Sequence, residues 1–486
     1  MKAVVPRGQW PPVRPLPPGR TLPEVWAAQW AARPGAPVLV DGRDSSRVVD
    51  AATFDGRTAA LAGALAEWGV SPGDRVVWCA RATLSSMEAL VAVLRLGAVL
   101  VPVNPSTTGA EMGHVVGDAA PVVAICDRPQ PDAFGDGPAV AMVDDLARAA
   151  GRAAPLSGWA QRPDADALIV YTSGTTGKPK GAVHTHASLL AGVSALRAAW
   201  QWESGDRLLL CLPLFHVHGL CAGLFGVLAA GASAVVFDRF DESAVLDAAP
   251  TSTMFFGVPT MYHRLDASGR ASELGGLRLC VSGSAPLAPE LWHRLATAGV
   301  GVLERYGMTE TLLTLSNPLV GERRPGSVGR PLPGVEAVVD DPDEQGIGEL
   351  LVRTASVCRG YWGRDAFRPG GWFATGDLVS VQGDGYVTVR GRSTELIITG
   401  GHNVYPAEVG AVLSRHPGVV EVAVVGVPSP EWGETVVAFV VGDADPASLK
   451  ELAAAELASF KCPREMRLVE ALPRNELGKV VRARLR

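Results

Sequence analysis

At 486 residues and 50.7 kDa, the chain is too long for one ordinary core and suits two or three domains. With 47% hydrophobic and 19% charged residues it is too apolar to be disordered, and its 55 glycines follow no collagen period. A net charge of −6 argues against a broad basic face for nucleic acid. The first 20 residues are rich in Pro and Arg and lack an apolar core segment, so no secretory signal is read there. A hairpin follows over 38–48, then a helix over 58–68, a strand over 75–80, a helix over 84–96, and strands over 98–103 and 122–126. Strands separated by helices of this length imply parallel sheets covered on both faces. The pattern recurs with strands at 207–212, 234–237 and 277–281, so more than one such layer is expected.

The uncharged run 219–237 reaches membrane-span length, but Gly231 divides it into a helix-like and a strand-like half, and a buried helix–turn–strand is expected. No membrane association and a cytoplasmic location are expected. After Gly326 the texture changes to short strands and turns at 349–353, 386–390 and 396–398. A compact α+β segment then runs to the end, with helices over 406–415 and 447–457 and strands over 419–427 and 435–441. The reading is therefore an α/β protein. A large multi-layer N-terminal domain (1–391) has mostly parallel sheets and a β-rich part, and a small mobile α+β domain (392–486) follows a hinge near Arg392. The seven cysteines are scattered without a Cys-x-x-Cys pair, so neither a disulfide framework nor a zinc site is indicated.

The strongest chemical signal is Tyr171-Thr-Ser-Gly-Thr-Thr-Gly-Lys-Pro-Lys-Gly181, which follows the strand-like run 167–170. Glycines and small hydroxyl residues free backbone N–H groups to surround an anion, and Lys178 and Lys180 add charge. The spacing is not that of a Walker A loop. A flexible turn is the competing reading, but only six of the 44 basic residues are lysines, and two of them stand here.

The segment resembles the phosphate loop of the adenylate-forming superfamily: acyl- and aryl-CoA ligases, luciferases and peptide-synthetase adenylation domains. Further segments resemble that superfamily's motifs in the same order. They are Leu212-Pro-Leu-Phe-His-Val-His-Gly219, Ser282-Gly-Ser-Ala-Pro286, Glu304-Arg-Tyr-Gly-Met-Thr-Glu310, Thr375-Gly-Asp377, Gly391-Arg392 and Pro473-Arg-Asn-Glu-Leu-Gly-Lys479. The resemblance spans roughly residues 50–486. It implies ATP, Mg²⁺ and coenzyme A as cofactors or co-substrates, and a two-step ligase that makes an acyl-adenylate and passes the acyl group to a thiol.

The residue types suit that chemistry, because joining a carboxylate to the α-phosphate brings two anions together and needs positioned cations. Glu310 offers a carboxylate for Mg²⁺, Thr309 a hydroxyl for phosphate and Tyr306 a flat face for adenine. Asp377 can accept both ribose hydroxyl protons, Arg392 can reach ribose or phosphate, and Lys479 can bridge substrate carboxylate and phosphate. Taken singly, Tyr306 could be core, Asp377 a turn residue and Lys479 a solvated lysine. By resemblance, Thr172, Ser173, Gly174, Thr175, Thr176, Lys180, Gly283, Ser284, Ala285, Glu304, Arg305 and Gly307 join the nucleotide site. His216, Val217, Ser284 and Met308 border the acyl pocket, with His216 closing it. At the hinge, Gly391-Arg-Ser-Thr394-Glu395 departs from the family's charged pivot residue.

Trp200-Gln-Trp202, 212–219 and Phe256-Gly-Val-Pro-Thr-Met-Tyr-His-Arg264 resemble malonyl- and methylmalonyl-CoA synthetases. That resemblance implies that Arg264 meets the second carboxylate of a small dicarboxylate, since a buried anion needs a cationic partner. Pairing of Arg264 with a protein carboxylate is the competing reading. Gly400-Gly-His-Asn-Val-Tyr-Pro-Ala-Glu408 instead resembles general fatty- and aryl-acyl ligases. A monocarboxylate ligase, a stand-alone enzyme loading a carrier-protein phosphopantetheine arm, and an inactive nucleotide-binding relative stay open as alternatives.

Overall fold

The computed structural model describes residues 2–11, 16–17, 19–129, 134–135, 137–158, 162–172, 179–399, 402–429, 431–474 and 480–486. These form two compact units. The larger comprises Pro6–Glu336 and Arg353–Trp372; the smaller comprises Met1–Val5, Ala337–Val352 and Phe373–Arg486.

The larger unit is built on a nine-stranded and a seven-stranded sheet, parallel at their centres and antiparallel at edges. The strand Arg75–Cys79 shows why: Val76 to Cys79 are fully buried, which only a sheet covered on both faces achieves. The helix Leu84–Leu96 matches its expected range, starting at a Thr83/Ser86 capping box and stopping at Gly97, whose φ is +90°. Ser86 to Leu96 are all buried, so this helix is an inner layer and not a surface one. The run 219–237 is a π-helical stretch His218–Phe225, the helix Gly226–Ala230, a left-handed turn at Gly231 and the strand Ser233–Val236. Among the described residues no helix is long and apolar enough to cross a membrane.

The parallel strands Arg207–Leu210, Met254–Gly257 and Leu279–Ser282 lie side by side, and their C-terminal ends run into the segments at 212–219, 258–264 and 283–287. That edge of an open α/β sheet is where ligands are bound. Three motifs far apart in sequence thus start from one sheet edge.

In the smaller unit the strands Val419–Ser429 and Gly433–Gly442 form a long hairpin, against which the helices Pro406–Leu413 and Pro446–Glu456 close a core of Val409, Leu413, Val424, Ala438 and Leu449. A second sheet in this unit contains Phe373–Val381 paired with Val387–Arg392. Residue 391, the expected domain edge, falls inside the latter strand. The mixed α/β architecture, with a large N-terminal part and a smaller C-terminal one, agrees with the sequence reading.

Candidate active site

The anion-loop motif is carried by a hairpin, Asp166–Thr172 paired with Lys180–Thr185. Ser173, Gly174, Thr175, Thr176 and Lys178 lie outside the described residues, as does Lys479. At the loop's base Thr172 and Lys180 are opposite one another, with the Thr172 hydroxyl 3.4 Å from the Lys180 carbonyl it donates to. The Lys180 ammonium stands 5.4 Å from the ring centroid of Tyr361.

The strand Val302–Met308 turns back on Leu312–Ser316, and the turn presents Thr309 and Glu310. Gly307 is required there, because a Cβ would lie 2.1 Å from the Leu312 carbonyl oxygen. The turn stores strain in Leu312, a non-glycine residue at φ +56°. Four contacts from elsewhere pin it. The His184 ring bonds the Thr309 carbonyl at 2.7 Å, and the Cys358 N–H donates to the Glu310 carbonyl at 2.7 Å. The Ser356 hydroxyl donates to the Thr311 carbonyl at 2.9 Å, and the Tyr361 phenol donates to Glu310 Oε1 at 2.8 Å. No spacing rule flags His184, Ser356 or Tyr361 in the sequence; they matter only through where the sheet brings them.

Glu304, expected at the nucleotide site, is engaged by backbone N–H groups. It is buried and accepts the Leu287 N–H at 3.2 Å and the Gly326 N–H at 2.8 Å. Its carboxylate therefore holds the 283–287 turn, in which Ser284 sits at φ +71°; burial pushes its pKa up to about 7, against the pull of those two N–H groups. Tyr306, Gly307 and Met308 are half-buried along the same strand, and Ala285 is exposed on the turn.

Arg305, one residue on, is only 6% exposed, and among the described residues its Nε and Nη2 have no hydrogen-bond partner. Burial draws its pKa down to about 9. It lies flat over Gly283, where a Cβ would come within 2.3 Å of Arg305 Nε. His218 is also buried, stacked on Phe256 at 6.0 Å and 16°, and neither of its ring nitrogens is bonded among the described residues. Its pKa is held well below the imidazole range by burial, with Arg305 and His216 adding repulsion. Trp200 and Trp202 meet Phe256 edge-on at 5.2 and 5.8 Å. Val217 and His216 are half-buried beside this wall. The result is an aromatic lining with a guanidinium and an imidazole that are unmatched among the described residues, an arrangement that an anion bringing its own acceptors would stabilise.

Arg264, expected at the acyl pocket, is engaged by a protein carboxylate. It lies on the helix Pro259–Ala267, is 55% exposed, and forms a two-pronged ion pair with Glu242, Nη2 to Oε2 at 2.6 Å. The ring of Phe240 lies under it at 5.0 Å. A guanidinium already matched by a carboxylate has little to offer a second one.

In the smaller unit Asp377 and Arg392 are opposite on paired strands and are bonded to each other, Nε to Oδ1 at 2.8 Å. Arg392 also donates to the Thr375 carbonyl at 2.9 Å, so the guanidinium braces the buried Asp377. Thr394 lies in the short turn Ser393–Glu395 that follows.

Buried histidines have a consequence for stability. Burial lowers His184 and His186 to about 4, so the native state refuses protons that the unfolded chain accepts below pH 6.5. Folded pKa values below the unfolded ones mean that stability is lost as pH falls from about 6.5 toward 4. The cost is roughly 2 kcal/mol per histidine at pH 5. Glu304, raised above its unfolded value, gains over the same interval and offsets about one histidine. His216, held at about 4, and His218 add to the loss. Urea unfolding of the intact chain should therefore show a lower midpoint at pH 5 than at pH 7. An equal or higher midpoint would contradict the burial of these rings.

Comparison with known proteins bears on the whole arrangement. The family model described as AMP-binding enzyme matches residues 26–362, and the model of the AMP-binding enzyme C-terminal domain matches 408–479. A malonate–CoA ligase of Arabidopsis thaliana is 39% identical over 66% of this chain and 60% of its own length. A feruloyl-CoA synthase of Amycolatopsis is 35% identical over 88% of this chain and 92% of its own. The crystal structure of ATP-bound MatB from Rhodopseudomonas palustris superposes with a TM-score of 0.90 at 35% identity, covering 96% of this chain and 98% of that one. The chain spans about three fifths of the length of the first curated relatives it matches. With both family models matched in order and a whole-chain likeness to a solved member, the chain belongs to the AMP-binding enzyme family.

Proposed function

We propose that this protein is an ATP-dependent carboxylate–CoA ligase that works through an acyl-adenylate, and that its acid is a small dicarboxylate such as malonate or methylmalonate. The observation that carries the second part is Arg305, a buried guanidinium near His218 whose Nε and Nη2 are unbonded among the described residues. A distal carboxylate would supply the missing charge and acceptors, and Gly283 lets the guanidinium lie against its backbone, where a Cβ would collide with Nε. The malonate ligase and MatB relatives support this reading; the feruloyl-CoA synthase supports a monocarboxylate as the second one.

In the first step a carboxylate oxygen bonds to the α-phosphorus of ATP, the bond to the β-phosphate breaks, and pyrophosphate leaves. In the second the thiol of CoA, or of a carrier-protein phosphopantetheine, attacks the acyl carbon, loses its proton, and AMP leaves. We assign the hairpin residues Thr172 to Lys180 to the phosphates, Tyr306 and the 283–285 turn to the base, and Asp377 with Arg392 to the ribose. Lys479 supplies the positive charge for adenylation from a C-terminal domain, 392–486, hinged at Arg392. Half-buried His216, neutral because burial lowers its pKa to about 4, borders the reacting carboxylate as an uncharged neighbour. Glu310 fits a Mg²⁺ site: it is a hard oxygen donor fixed by a phenol on one oxygen, with phosphates and water able to complete the coordination. Bound there, the ion would neutralise phosphate charge.

A panel of mono- and dicarboxylates scored by pyrophosphate release, with and without CoA, tests the proposal. Malonate or methylmalonate should outrun acetate, propionate and ferulate, with CoA needed for turnover. A preference for ferulate would select the monocarboxylate reading, and no release with any acid would reject a ligase. Arg264→Met should change kcat/KM for malonate by less than about fivefold, the scale of an exposed ion pair. A hundredfold fall would return Arg264 to the pocket.

A further inference from the structure

Tyr361 has no proposed contact of its own with acid, nucleotide or metal. It lies on the two-residue strand Gly360–Tyr361, which pairs antiparallel with Ala182 and Val183, on the arm leading from the anion loop. Around it the backbone is tied to both sides: Arg359 N–H to the Val183 carbonyl, Trp362 N–H to the Gly181 carbonyl, and Cys358 N–H to the Glu310 carbonyl. Its ring is held edge-on by Phe367 at 5.4 Å and 82°, and the Lys180 ammonium stands 5.4 Å from its centroid. Its hydroxyl ends on Glu310 Oε1 at 2.8 Å. Glu310 is buried, so its carboxylate has little water to orient it. Among the described residues, no other side chain bonds that carboxylate. One ring thus touches the cation at the base of the anion loop and the carboxylate on the opposite hairpin.

We propose that Tyr361 is a positioning residue: its phenol fixes one oxygen of Glu310 so that the carboxylate is set for a divalent cation, and its ring ties that setting to Lys180. The inference rests on the reading of Glu310 as the metal-holding carboxylate. Partners that orient a ligand are worth about tenfold or more in metal affinity, even though they never touch the ion. Lys180 on the ring face favours the same ring position through the cation–π attraction.

The test uses the whole protein and Mn²⁺ with α,β-methylene-ATP, and reads the affinity for the metal–nucleotide complex by water-proton relaxation. Tyr361→Phe keeps the ring and removes only the hydroxyl. It should weaken that affinity about tenfold. It should also raise the Mg²⁺ concentration needed for half-maximal ATP–pyrophosphate exchange by a like factor, with the rate at saturating Mg²⁺ largely restored. Ser356→Ala removes a different bond, to the Thr311 carbonyl, and should lower thermal stability while weakening the Mn²⁺ affinity far less than Tyr361→Phe does. Wild-type affinity in Tyr361→Phe alongside weakened binding in Glu310→Gln would overturn the role of Tyr361 alone. Unchanged binding in Glu310→Gln would overturn the metal reading, and this proposal with it. Equal weakening by Ser356→Ala would show that the segment's rigidity, and not the phenol, is what matters.

Discussion

Arg305→Met is expected to abolish use of malonate while leaving acetate or propionate turnover unchanged or improved. In the native chain the guanidinium is buried, and among the described residues its Nε and Nη2 have no partner. A dicarboxylate would provide one; in the variant its distal charge would enter an apolar pocket unpaired, at a penalty of about 3–5 kcal/mol. That corresponds to a fall of at least about a hundredfold in kcat/KM for malonate. Every acid uses the same ATP site, so the monocarboxylates control for general damage. The variant should also be more stable than the parent, because an unmatched buried cation is replaced by an apolar chain of similar length. A uniform loss across all acids would mean that Arg305 serves the nucleotide site or the fold, and the dicarboxylate reading would fail.

The exchange of Arg264 for Arg305 shows where a sequence stops being informative. Both arginines stand in motifs, and the resemblance favoured Arg264. What the motif does not carry is Glu242, 22 positions earlier on another helix, whose carboxylate reaches the guanidinium only in the folded chain. The motif places Arg305 with its neighbours at the nucleotide, and alternation along Val302–Met308 sends Glu304 and Arg305 to opposite faces of the sheet. Glu304 then meets the backbone at 287 and 326, while Arg305 lies over Gly283. Secondary structure was more legible: the helix Leu84–Leu96 carries both its cap and its glycine stop in the sequence. The helix Gly109–Ala119 had an unread signal of the same kind, the Thr108/Glu111 capping box. Tyr361 and His184 had none, because a lone ring acquires meaning only from the carboxylate or carbonyl that folding sets against it.

Lys479→Ala is expected to eliminate adenylate formation and to spare thioester formation from supplied malonyl-AMP and CoA. Charge builds on the α-phosphate as pyrophosphate departs, and a cation placed there is worth roughly 3 kcal/mol or more. Thiol attack on the finished adenylate expels one phosphate monoester and does not join two anions at phosphorus, so it gains less from that cation. Pyrophosphate exchange should therefore fall by about a hundredfold or more. The second half-reaction, started from the synthetic adenylate, should stay within a few-fold of the parent. Equal loss in both halves would deny Lys479 a step-specific role.

The most direct measurement follows oxygen. Malonate labelled with ¹⁸O in its carboxylates is turned over with ATP and CoA, and the nucleotide product is weighed by mass spectrometry. An acyl-adenylate requires that the oxygen joining carboxyl carbon and α-phosphorus stay with the nucleotide when the thiol attacks. AMP should therefore carry one ¹⁸O per turnover, and the released pyrophosphate none. Unlabelled AMP, or ADP with label in inorganic phosphate, would contradict the account.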